Sequence, residues 1–175
     1  MATQQQLIDL FGAGSITCLD LSDREVFKSA GIEAEELFEV GLPDRLAGMF
    51  SAEVVADPET FDGVSASIGG SQVTLVTLGA PHSESDLRYY LNPLDGRILL
   101  ARLVAENPEI EVVNESLGNF IEFLYRIGRY KAFSMEADEN QQADYKDLLT
   151  AYLTTLDPGS LKESDNWWSM VIRQL

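Results

Sequence analysis

Val112-Val113-Asn114-Glu115-Ser116-Leu117-Gly118-Asn119-Phe120-Ile121-Glu122-Phe123-Leu124 passes from strand to helix within one short stretch. The β-branched pair at its start favours an extended backbone. Leu117, Phe120, Ile121 and Leu124 then recur at helical spacing on one face. The polar turn between them supplies the start signal for a helix. Asn114 is the best N-cap candidate, with Ser116 as the competing assignment. The helix expected here runs from Glu115 to Lys131.

Working backwards, Leu87-Arg88-Tyr89-Tyr90-Leu91 and Arg97-Ile98-Leu99-Leu100-Ala101 read as two strands. They are joined by Asn92-Pro93-Leu94-Asp95-Gly96, where Pro93 presets φ and Gly96 takes a left-handed turn position. Val64 to Ile68, Gly69-Gly70-Ser71 and Val73 to Leu78 read as a hairpin with Val73–Leu78 as a central strand. Phe50, Val54 and Val55 mark an earlier strand, and Asp57-Pro58-Glu59 and Asp62-Gly63 mark turns. Downstream, a helix is expected from Asn140 to Leu156, with Tyr145, Leu148, Leu149, Tyr152 and Leu156 on one face. Asp157-Pro158-Gly159 ends it. A last helix starts at Ser164 or Asp165 and carries Trp167, Trp168, Val171, Ile172 and Leu175. A block of strands followed by a block of helices implies an α+β fold, an antiparallel-rich sheet covered on one face by helices.

Residues 1–40 read as a helical N-terminal extension, and 41–175 as the core of a single domain spanning 1–175. Leu7, Leu10 and Phe11 form a short helix stopped by Gly12-Ala13-Gly14, and Ile16 to Leu19 suits a short strand. Ser22-Asp23-Arg24-Glu25 has capping-box spacing, opening a helix that ends near Gly31. Ala34 to Val40 is a second helical segment, stopped by Gly41-Leu42-Pro43.

The chain has 29 acidic and 12 basic residues, a net charge of −17. Such a surface repels nucleic-acid phosphate and anionic lipid and attracts basic proteins. The same acidity also serves solubility alone. No apolar run is long enough to span a bilayer, and Met1-Ala2-Thr3-Gln4-Gln5-Gln6 has no signal-peptide character, so a cytoplasmic protein is expected. A lone Cys18 forms no internal disulfide and anchors no cysteine-rich zinc site.

Chemistry is sparse. His82, in a polar loop, has no fixed partner and reads first as a surface residue. Cys18 lies in an apolar context where a thiol is usually inert. Acid pairs such as Glu35-Glu36 suit solvated helix faces. Gly69-Gly70-Ser71 precedes no helix and is followed by no Walker-type lysine. No catalytic residue, cofactor or metal is expected. Trp167-Trp168 sends one ring inward and leaves the next about 100° round the helix. A half-exposed Trp anchors a partner or packs under a neighbouring helix. The candidate contact residues are Trp167, Trp168, Tyr89, Tyr90 and Asp95.

Four stretches, in order, resemble the SUKH superfamily, an α+β fold related to yeast cell-wall synthesis regulators and bacterial immunity proteins. They are Gly41-Leu42-Pro43 with Phe50, Leu91-Asn92-Pro93-Leu94-Asp95-Gly96-Arg97-Ile98, Val113-Asn114-Glu115-Ser116-Leu117 with Phe120 and Leu124, and Asp165-Asn166-Trp167-Trp168 with Leu175. The set covers roughly residues 40–175 and is most similar to the fourth bacterial subgroup. The resemblance implies an immunity protein that neutralises a polymorphic toxin by stoichiometric binding, with no catalytic residues of its own. The implied partner is a cognate toxin domain, a basic nuclease or deaminase, bound by a monomer or weak dimer. A regulatory or scaffolding adaptor of the same fold is the alternative.

Overall fold

Alternation along the strands sorts the apolar residues onto two faces of one sheet, and that sorting organises the molecule. The computed structural model describes residues 1–54, 58–68, 70–103 and 109–175. Five antiparallel strands follow in chain order across the sheet: β5 (Gly63–Ile68), β6 (Ser71–Gly79), β7 (Arg88–Leu91), β8 (Ile98–Arg102) and β9 (Glu109–Asn114). Val76, Leu78, Leu91, Ile98, Leu100 and Val113 belong to the main core beneath the helices. Their neighbours Val73, Leu75, Tyr90, Leu99 and Ala101 form a second cluster on the opposite face.

The N-terminal elements are α1 (Gln4–Phe11), β1 (Ile16–Thr17), α2 (Arg24–Ser29), α3 (Glu35–Glu39), β2 (Leu42–Pro43), β3 (Arg45–Leu46) and β4 (Phe50–Ser51). Strand β1 pairs with β2, and β3 with β4. Leu7, Leu19, Leu37 and Leu42 are buried in the main core, so residues 1–40 share one interior with the sheet. Gly41 takes φ +79°, and a Cβ there would collide with Cys18 Sγ and the Thr17 carbonyl. That requirement explains the Gly in Gly41-Leu42-Pro43. Capping differs from the Ser22 expectation. Leu21–Asp23 forms a 3-10 turn before α2, and Asp20 accepts from Ser22 N at 2.8 Å. Val54 falls outside any strand. Val55, Asp57 and Gly69 lie outside the described residues.

The last third carries α4 (Leu117–Ser134), α5 (Glu139–Leu156) and α6 (Trp167–Gln174). Helix α4 is buried round most of its circumference, because the sheet, α1 and α5 all pack on it. Phe123, Ile127 and Tyr130 therefore join Leu117, Phe120, Ile121 and Leu124 in the core. On α5 the buried pair is Leu149 and Leu153. Leu148, expected on that face, is 71% exposed, because the true stripe is centred one residue further along.

Candidate partner-binding surface

The strand-to-helix junction is held by a buried polar knot. A bulge between β8 and β9 sets Ile98 opposite Asn114 and Leu99 opposite Val112, leaving Val113 as the extra residue. Val113 and Asn114 thereby both face the helices. Asn114 Nδ2 donates to Asp157 Oδ2 at 3.1 Å and to Ser160 Oγ at 3.3 Å. Its Oδ1 accepts from Trp168 Nε1 at 2.9 Å. Asp157 Oδ2 also accepts from Glu115 N at 2.9 Å and from Asn119 Nδ2 at 3.1 Å. Ser160 Oγ donates to the Val113 carbonyl. One set of side chains thus joins β9, α4, the end of α5 and α6. Asn114 is 0% exposed and is not the N-cap of α4. Ser116 is the cap, accepting from Asn119 N at 3.2 Å. The last ladder position of β9 holds Asn114 in the sheet, so capping falls to the next polar residue able to turn back.

Three of the five candidate contact residues are interior. Trp168 is 0% exposed, against Phe120 and Phe123. Tyr89 is fully buried and donates from its hydroxyl to the Met49 carbonyl at 2.8 Å. Burial pushes its phenol well above the ordinary value, only partly offset by Trp167. Tyr90 is buried in the cluster on the other sheet face, so neither parity of Tyr89-Tyr90 reaches solvent. These three rings stabilise the core and have no surface to offer a partner. Asp95 is exposed, but its carboxylate accepts from Arg97 N at 3.1 Å and stabilises the turn.

Trp167 is different. It is half-buried beside a depression of about 260 Å³ lined by Leu87, Leu100, Ile110, Glu111 and Met170. Its backbone N–H donates to Glu111 Oε1 at 2.7 Å. Burial raises the Glu111 carboxyl above its ordinary value and nearby Asp165 adds to this, against hydrogen bonds from Trp167 and Asn166. On edge strand β9, Ile110 and Val112 are 37% and 39% exposed on the face away from the helices. Partly exposed apolar side chains on an edge strand offer an area for contact on that face, separate from Trp167 on the helix side.

Two features escape a sequence reading. Glu122, on α4, has no exposed side-chain surface, yet Arg126 Nε reaches its Oε1 at 2.6 Å and the Tyr152 hydroxyl at 2.9 Å. Burial works to raise this carboxyl, but those hydrogen bonds and the Arg126 charge outweigh it and leave it lowered. The second is a groove of about 670 Å³ between α2 and α3, with Phe27, Ile32 and Phe38 at its base. Phe27 meets Phe38 edge to face at 5.7 Å. The signal for the groove was present as seven acids against two bases in residues 20–39.

The reactive residues do not assemble. Cys18 is partly buried beside Gly41, with the Gln4 amide nitrogen at 3.6 Å. His82 is exposed over a separate shallow depression lined by Arg45, Gly48 and Pro81. Among the described residues no group of three His, Cys, Asp or Glu is placed to hold a metal ion. Nor is any described helix long and apolar enough to cross a membrane.

The chain belongs to the SUKH-4 immunity protein family, whose model matches residues 2–174. The match takes in the N-terminal 40 residues as well as the four stretches that carry the resemblance. No curated protein and no solved structure matches the chain.

Proposed function

We propose that this member of the SUKH-4 immunity protein family neutralises a cognate toxin domain in the cytoplasm by one-to-one binding, without chemistry of its own. The toxin domain is basic, a nuclease or deaminase whose substrate groove attracts phosphate. The observation that carries this reading is the charge of −17 on a chain of 175 residues. A surface of that sign is drawn to a nucleic-acid-binding groove and competes with its substrate. Trp167, partly buried beside Glu111 at the β9 depression, supplies an aromatic anchor with an acidic neighbour.

Co-purification with the C-terminal domain of the protein encoded beside it tests this reading. A tight one-to-one complex is expected, with an association rate that falls as salt rises from about 0.1 M to 0.5 M. The same domain is expected to be toxic when expressed alone and harmless when co-expressed with this chain. If the two chains do not associate at either salt, the toxin reading fails, and an adaptor that binds a housekeeping protein replaces it.

A further inference from the structure

We propose that the α2–α3 groove is the docking site for a basic segment of the toxin, one carrying an apolar side chain beside arginine or lysine. The proposal rests on the toxin-binding reading above and names the surface that would recognise charge. The base of the groove is apolar, formed by Phe27, Ile32 and Phe38, and its volume of about 670 Å³ suits one or two side chains of a partner. Its rim is acidic on balance: Glu25, Glu33, Glu35 and Glu36 line it against the two bases Arg24 and Lys28. Glu25 and Glu33 are exposed and make no ion pair among the described residues.

A second observation identifies the ligand chemistry. The groove already holds one guanidinium, the chain's own. Arg24 Nη2 lies 2.5 Å from Glu35 Oε1 and 3.7 Å from Glu39 Oε1. Its guanidinium carbon stands 5.4 Å from the centroid of the Phe38 ring. Carboxylates on one side and an aromatic face on the other form a receptor for a planar cation. Arg24 uses Glu35 and Glu39, and neither Glu25 nor Glu33 forms an ion pair among the described residues, with Lys28 on the same groove or with any other base. A segment with a basic residue and an apolar neighbour completes both halves of the site, with charge at the rim and apolar surface at the base. A purely apolar segment completes only the base, and a purely acidic one completes neither half.

The test uses the full chain and the C-terminal domain of the neighbouring protein. The double reversal Glu25→Lys with Glu33→Lys is expected to weaken the complex by about tenfold or more at low salt, with a smaller loss at high salt. Both residues are exposed, so the melting temperature is expected to be unchanged. Hydrogen exchange on the unaltered chain gives a readout without substitution. Amides of residues 24–39 are expected to slow on complex formation. An affinity within about twofold of the unaltered chain, or unchanged exchange across 24–39, overturns the groove while the toxin-binding reading stands. If the unaltered chain does not bind the domain at all, that reading fails and takes the groove with it.

Discussion

The junction around Asn114 and the groove between α2 and α3 use polar side chains in opposite ways. At the junction, Asn114, Asp157 and Ser160 are buried and hydrogen-bond one another, with the Trp168 indole as a fourth member, while Asp157 Oδ1 is buried without a partner. Each hydrogen bond there fixes one element against another, and losing the Asn114 acceptor leaves the buried Trp168 indole N–H without a partner. In the groove, Glu25 and Glu33 are exposed and form no ion pair among the described residues. Exposed charges can change at a cost of about 0.5 kcal/mol or less, whereas knot residues cannot. The motif that carries the family resemblance therefore secures the architecture. On the proposed reading, recognition of a partner falls to positions that are free to vary without unfolding the chain.

The adjacent tryptophans give the largest contrast. Trp168→Ala removes a fully buried ring and the indole donor to Asn114, and is expected to cost about 3–5 kcal/mol in urea unfolding. Trp167→Ala is expected to cost less and to act also on toxin binding, since its ring is only partly buried at the β9 depression. Equal losses of stability in the two variants would place Trp167 in the interior and remove the proposed anchor.

A smaller effect separates knot from cap. Asn114→Ala leaves Trp168 Nε1 without its acceptor and takes one donor from Asp157, so about 2–3 kcal/mol is expected to be lost. Ser116→Ala removes a single capping bond and is expected to cost about 1 kcal/mol. The reverse order, measured by the same unfolding experiment, would restore Asn114 as the cap and dissolve the knot as a structural device.

Much of this contrast was legible in the sequence, and the part that was not has a physical cause. Strand order, the hairpins and the three C-terminal helices follow from period-2 and period-3.6 patterns, which are local. Gly96 was legible because only a turn at φ +74° uses a Gly there so readily. The place of Asn114 was not legible. The bulge at Val113 reverses which side of the sheet the next residue faces, and a bulge is set by the partner strand. Tyr89 and Tyr90 resembled contact residues because alternation exposes one of two neighbours on a one-sided sheet. Here both faces are apolar and both rings are buried. The groove is formed by two helices that turn back on each other. Its acids looked like solvated helix faces, because nothing in their spacing brings Phe27, Ile32 and Phe38 together.

The smallest expected effect falls on Glu111, which stands between the two regimes. It is partly buried, between the fully buried knot and the exposed acids of the groove, and forms no ion pair among the described residues, in contrast to Glu122 with Arg126. Its folded carboxyl is raised, chiefly by burial, so the folded state holds a proton more readily than the unfolded chain does. Stability from this residue is therefore present at low pH and is lost as pH rises through the folded value. At neutral pH the ionised form works against folding. Glu111→Gln keeps an oxygen for the Trp167 N–H and removes the charge, so the variant is expected to be more stable at neutral pH. The gain is under about 1 kcal/mol, since solvent reaches the site, or a rise of a few degrees at most in Tm. Thermal unfolding across pH checks the sign. The advantage of the variant should shrink as pH falls below the carboxylate range, where both side chains are neutral. A Gln variant that is less stable at neutral pH would mean that the charge on the carboxylate strengthens its bond to Trp167 by more than burial costs. Position 111 would then belong with the knot and not with the exposed acids of the groove.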